Sequence, residues 1–191
     1  MQTRLIIAVL ATAFVAAPVA AQDVAKMTEE SRAVAGGFAQ KLGGELKQAI
    51  SQGGPEGAIG VCKTIAPQIA SDLSLKNGWH VARVSLKTRN TMLGVPDAWE
   101  QRVLAEFDAR AAKGDDAAKL EFAEVVTEPA GKYFRYMKAL PVQPLCLSCH
   151  GGASDVAPAV KAKLDAEYPH DKATGYSAGQ VRGAITIKRP L

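Results

Sequence analysis

Aromatic residues are scarce, at 6% of 191 positions, and the chain holds only three cysteines and three histidines. A core built from this sequence must come mainly from Ala, Val, Leu and Ile. Three cysteines exclude a scaffold stapled by many disulfides. Charge of one sign is also in short supply: the formal net charge is +4, too slight for the basic footprint of a nucleic-acid binder. No apolar run reaches the length of about 20 residues that a membrane-spanning helix needs. What is present, 48% hydrophobic and 22% charged residues, is the composition of a folded globular chain.

The N-terminus carries an address. Arg4 lies in a short positive segment, and an apolar stretch of 13 residues runs from Leu5 to Ala17. Pro18 breaks it, and Val19-Ala20-Ala21 places small side chains where signal peptidase reads them. Residues 1–21 are therefore expected to be a cleaved signal peptide, and 22–191 a single mature domain without a transmembrane segment. The expected location is the periplasm.

In the mature chain, Val34, Phe38, Leu42, Leu46 and Ile50 mark one helical face between Thr28 and Ser51. Gly53-Gly54-Pro55 interrupts it. A second helix carries Ala58, Ile59, Cys62, Ile65, Ala66 and Ile69 as an apolar stripe, with Pro67 expected to kink or end it. Asn77-Gly78 turns the chain into a strand from Trp79 to Leu86, with Ala82, Val84 and Leu86 on one face. Asp97 and Glu100 have capping-box spacing at the head of a helix with Val103, Leu104 and Phe107 inside. Leu120–Thr127 and Tyr133–Leu140 form a hairpin whose loop is slightly longer than the tightest kind. Asp155 is placed to cap a short helix carrying Val160 and Leu164, and Val181–Lys188 returns to the sheet. The expected class is α+β, two N-terminal helices followed by an antiparallel sheet with helices between its strands.

The chemistry concentrates in Cys146-Leu147-Ser148-Cys149-His150. This is the spacing that attaches c-type haem: two thiols form thioethers with the vinyl groups, and the adjacent His binds the iron. A secreted chain also meets the attachment machinery. A thioredoxin-like dithiol normally opens a helix in a βαβ unit, whereas Pro141, Pro144, Gly151 and Gly152 flank this pair. A zinc site needs four ligands, which only Cys62 with His80 or His170 could complete. One covalent haem c is the expected cofactor. For the second axial ligand the candidates are Cys62, Met92, Met137, His80 and His170, and spacing does not choose among them. A buried cysteine on an apolar stripe is usually a small hydrophobe.

Several stretches are familiar in their order: Ala58–Cys62 with Ala66–Ala70, Arg83–Asn90, Pro96–Glu100, Tyr136–Lys138, Cys146–Gly151 and Arg182–Ala184. Together they resemble a family of secreted single-haem c-type proteins with a PAS-like sheet, long catalogued as a domain of unknown function. The resemblance implies a PAS-like antiparallel sheet with N-terminal helices packed around one haem c. It further implies thioethers at Cys146 and Cys149, His150 as proximal ligand and a thiolate from Cys62 as distal ligand. This chain departs from the family pattern at Thr91–Val95, where a Pro and an Asn are expected, and at Ala139, which replaces a Pro.

Arg83, Lys87 and Arg89 form a basic run. One of the three suits a haem propionate, because guanidinium and carboxylate match bidentately; for Arg83 the solvated face of an edge strand is an equal reading, and for Lys87 it is the preferred one. His/Cys ligation implies a low potential, since thiolate is a strong anionic donor whereas Met raises the potential. Redox or ligand sensing is the expected function, with a small gas as ligand and a separate periplasmic protein as partner. The alternative is a small electron-transfer cytochrome. No acid/base pair or activated nucleophile stands out, so substrate turnover is not expected.

Overall fold

The computed structural model describes residues 17–191, with side chains from residue 23 onward. The leader expected at 1–21 lies outside the described residues, except that the backbone of 17–21 begins the first helix, α1 (Ala17–Gly60). The Gly53-Gly54 break is where the sequence places it: both residues leave helical geometry, and Gly54 takes a φ of +64°, open to a residue without Cβ. Pro55 restarts the helix.

Pro67 does not end the next segment. A π-helical turn (Val61–Ile65) precedes α2 (Ala66–Asn77), closed by the Ala66 N–H on the Val61 carbonyl. That wider turn leaves Pro67 in the first turn of α2, where a missing N–H and the proline ring are tolerated. Cys62 sits in the π-helical turn, half-buried, while its stripe neighbours Ala58, Ile59, Ala66 and Ile69 are buried.

The sheet comprises β1 (His80–Val84), β2 (Glu121–Glu128), β3 (Gly131–Pro141) and β4 (Val181–Pro190), all pairs antiparallel, in the order β1-β4-β3-β2. The class is the expected α+β, with an N-terminal helix on a four-stranded antiparallel sheet, an arrangement consistent with a PAS-like fold. β1 stops short of the expected Leu86, which is exposed in a bend at Leu86-Lys87. The β2–β3 loop is the tightest kind rather than a longer one: Glu128 pairs with Gly131 across Pro129-Ala130 alone.

Alternation along the strands serves two layers. Phe134, Tyr136, Ile185 and Ile187 meet Phe38 of α1 and Ile69 of α2 on one face. On the other, Met137, Ala139 and Ala184 meet Val103, Leu104 and Phe107 of α3 (Ala98–Ala112). Each large apolar side chain buried this way contributes about 1.5–3 kcal/mol. The α3 head forms the expected capping box: the Glu100 N–H donates to Asp97 at 2.8 Å, and the Asp97 N–H donates back to Glu100 at 2.9 Å. Arg135, 3% exposed, pairs with Asp97 and Glu100 at 2.7 and 3.1 Å, pinning this helix start to β3. On the opposite face, Arg32 of α1 and the Tyr136 hydroxyl share the Glu121 carboxylate.

Helices α4 (Leu147–His150) and α5 (Pro158–Glu167) fill the connection from β3 to β4. Val160 and Leu164 are buried as expected, but Asp155 does not cap α5; it accepts the Gly152 N–H at 2.8 Å. Among the described residues no helix is long and apolar enough to cross a membrane.

Candidate haem site

The Cys146–His150 motif winds into α4, and the chain around it is held by its backbone. Gly151 lets α4 close tightly, because a Cβ there would overlap Asp155 and the Leu147 carbonyl. Segment 171–176 runs alongside: the Gly175 N–H donates to the Gly151 carbonyl at 2.8 Å, and the Tyr176 N–H donates to the His150 carbonyl at 2.9 Å. Arg89 locks the two together. Its Nε pairs with Asp171 at 2.9 Å, and one Nη donates to the carbonyls of Cys149 and Ala173 at 2.5 and 3.3 Å. In the sequence Arg89 is one cation of a basic run; in the fold it is a buried clamp.

His150 lies 2.7 Å from the Ala173 carbonyl through Nδ1. A carbonyl oxygen only accepts, so Nδ1 carries the proton and Nε2 keeps its lone pair, the arrangement that orients a histidine toward a metal. Burial, and then Arg182 and Arg89, hold its pKa well below the ordinary histidine value, so the ring is neutral. The Tyr176 ring stands edge-on to the imidazole at 6.4 Å.

The iron-ligand candidates separate in space. Cys62, His150 and Arg83 line one cavity of about 440 Å³, walled by the π-helical turn, β1, segment 85–95 and α4. This is within the range of small-molecule and cofactor sites. His80 and Met92 also line it, whereas Met137 is fully buried against α3 and His170 is exposed elsewhere. Cys146 and Cys149 do not line it; they pack into small apolar clusters, Cys146 beside Val142 and Ala173, Cys149 beside Ile59 and Leu164. Burial pushes the Cys149 thiol up, against the pull of Arg89. All three cysteines are free of disulfides. A larger open groove of about 690 Å³ between α3 and segment 175–181 contains none of these residues.

Arg83 projects from edge strand β1 with its guanidinium over the Phe38 ring at 6.0 Å, and burial lowers its pKa. The solvated-face reading therefore does not hold for it. Lys87 is exposed, yet its ammonium sits over the Tyr176 ring at 4.3 Å and donates to the Thr174 carbonyl. Sequence reasoning passed over Arg182, whose Nε lies 3.2 and 3.4 Å from the two His150 ring nitrogens. Its signals were its place in the family-like stretch Arg182–Ala184 and a glycine at 183 inside a strand, a common mark of a bulge.

A neutral, oriented imidazole, a half-buried thiol on the same cavity and an adjoining pair of thiols make a donor set suited to haem. Among the described residues no group of three or more His, Cys, Asp and Glu side chains is placed to hold a metal ion, so a zinc site finds no built cage. Fold and site together define an α+β protein with one cavity that brings His150 and Cys62 together. The chain belongs to the Tll0287-like family, whose model matches residues 10–190. Among solved structures it is similar to the cyanobacterial heme-protein Tll0287, at 27% identity and a TM-score of 0.55, over 69% of this chain and 72% of that one. No curated protein matches.

Proposed function

We propose that this protein is a periplasmic haem c protein that senses redox state or a small ligand through one covalently attached haem with His150 and Cys62 as axial ligands. The observation carrying this reading is that the π-helical turn brings Cys62 onto the cavity that His150 lines. Kinship with a structure described as a heme-protein supports it. Cys146 and Cys149 supply the thioethers, and Arg83 faces a propionate. When bound, the haem supplies a one-electron Fe(III)/Fe(II) couple at low potential, because a thiolate favours the ferric state.

The chain's own contribution is positional. Ala173 and Tyr176 fix the imidazole, and the π-helical turn presents the thiol on a helix that otherwise packs against the sheet. Were the Cys62 thiolate to leave on reduction, the haem would offer a position to a small gas, and the sheet would convey the change to a separate protein partner in the periplasm. Substrate turnover forms no part of this reading.

An electron-transfer cytochrome is the second reading. Its supporting observation is the exposed apolar lip of Met92, Leu93 and Val95 along the cavity, a surface for a redox partner. Absorption and electron-paramagnetic-resonance spectra of oxidised and reduced protein, with and without carbon monoxide, separate the two. A sensor exchanges its thiolate on reduction and binds the gas. A carrier keeps both ligands in both states.

A further inference from the structure

Three guanidinium groups line the haem cavity: Arg83, Arg89 and Arg182. Arg89 is neutralised by Asp171. The other two have no carboxylate partner among the described residues. Arg182 donates to the Ser85 hydroxyl at 2.9 Å and the Lys87 carbonyl at 3.2 Å and lies against the neutral His150 ring, all uncharged, and Arg83 lies over the Phe38 ring on the cavity that Cys62 and Tyr168 share. Among the described residues the sole carboxylate on the cavity wall, Glu100, already accepts from Arg135, the Thr186 hydroxyl and the Asp97 N–H. Burial lowers the pKa of both arginines, yet a guanidinium keeps its proton in proteins. Two half-buried positive charges thus have no carboxylate partner among the described residues, a state that calls for compensation.

The backbone is built to aim one of them. In the β3–β4 ladder Leu140 pairs with Gly183 and Pro141 with Val181, so Arg182 is the extra residue of a β-bulge. Bulges re-aim side chains beside functional sites. Gly183 makes this one feasible, because a Cβ there would overlap the Val84 carbonyl oxygen. Ser85 Oγ donates to the Arg182 carbonyl at 2.8 Å and accepts from its guanidinium, holding both ends of the residue.

We propose that Arg182, aimed by this bulge, and Arg83 each bind one carboxylate of the haem, so that the cavity is matched to a porphyrin carrying two propionates. The proposal rests on the haem reading above and adds Arg182 as its second anchor. Both residues act on the haem by charge and hold it in place; neither ligates iron. A cation beside a propionate favours the reduced iron electrostatically, so its loss lowers the midpoint potential.

The test uses the full matured protein and the variants Arg182→Gln, Arg83→Gln, Arg182→Lys and the double Gln variant. Haem content is read by mass spectrometry, axial ligation by the ferric spectrum, and the potential by spectroelectrochemical titration. The expected result is covalent haem and an unchanged ferric spectrum in each. The potential falls in each Gln variant, falls furthest in the double variant, and stays near the parent in Arg182→Lys. Haem-bearing Gln variants with the parent potential overturn the proposal. So does an Arg182→Lys variant that drops as far as Arg182→Gln, or an altered ferric spectrum, since either assigns Arg182 to the orientation of His150. Failure of both Arg182 variants to fold makes the residue structural and likewise overturns it. A parent protein that takes up no haem defeats the haem reading itself, a distinguishable result.

Discussion

Arg89 and Asp171, 82 residues apart in the chain, form an ion pair at 2.9 Å in which both side chains are less than a tenth exposed. The same guanidinium holds the Cys149 carbonyl, and the Asp171 carboxylate accepts the Ala173 N–H at 2.7 Å. Ala173 in turn accepts from His150. One buried pair therefore ties the loop after β1, the attachment motif and the segment that orients the imidazole.

Removing one partner of a buried pair leaves the other charge uncompensated, at a cost of about 3–5 kcal/mol. Asp171→Asn is expected to lower the unfolding free energy measured by urea titration by an amount of that order and to reduce the fraction carrying haem. A loss below about 1 kcal/mol, the range of exposed pairs, would show that Arg89 finds other compensation and that the clamp is not essential.

Much of this was legible locally and little of it at long range. The α3 capping box is written in Asp97 and Glu100, three positions apart, and the attachment motif is contiguous. Helix and strand periods placed the elements, because each buries one face. Pro67 misled: a proline in an apolar stripe argues for a break, but one residue of slack in a π-helical turn absorbs it and leaves Cys62 on the cavity. Asp155 misled in the same way, since a carboxylate near a helix start competes for more than one N–H. Arg89 was legible only as one cation of a basic run that suits a propionate, and Arg182 only as part of a stretch that carries the family resemblance. Their roles depend on Asp171 and on a register shift between β3 and β4, which no local pattern encodes.

The attachment motif carries a chemical prediction. Protein matured in a periplasm that attaches haem is expected to gain the mass of one haem, retained after denaturation, with Cys146 and Cys149 both consumed. Cys149→Ala keeps at most one thioether, and the double substitution keeps none. Intact mass spectrometry of the denatured protein decides this. An unmodified mass with bound zinc would return the motif to a metal site of another kind.

Acid stability follows from the contact between α1 and the sheet. The Arg32 guanidinium, and then the Tyr136 hydroxyl, hold the Glu121 carboxyl below its usual range against the opposing effect of burial. A depressed carboxylate stabilises the fold fully above its unfolded pKa, about 4.3, and that contribution is lost as pH falls through the lower folded value. Arg32→Gln removes the main cause of the depression. The variant is expected to be less stable than the parent at pH 7, with the gap closing below about pH 4. Urea midpoints measured across that range test it, and a gap independent of pH would remove Glu121 from the account.

The distal ligand gives the sharpest test. Cys62 lies half-buried on the cavity wall that His150 shares, and a thiolate among apolar neighbours is costly unless a cation compensates it. Ferric iron supplies that charge. Cys62→Ala is therefore expected to keep its covalent haem, because the thioethers and His150 are untouched, while the sixth position passes to water or to an added ligand such as imidazole. The low-spin thiolate signal disappears from the electron-paramagnetic-resonance spectrum, and the potential rises with the loss of an anionic donor. Met92, 88% exposed on the cavity lip, and Met137, fully buried against α3, are the controls. Replacing either leaves the oxidised spectrum unchanged. A Cys62 variant that retains the parent spectrum, beside a Met92 or His80 variant that loses it, would transfer the ligand to that residue and make an ordinary His/Met or His/His cytochrome the better account.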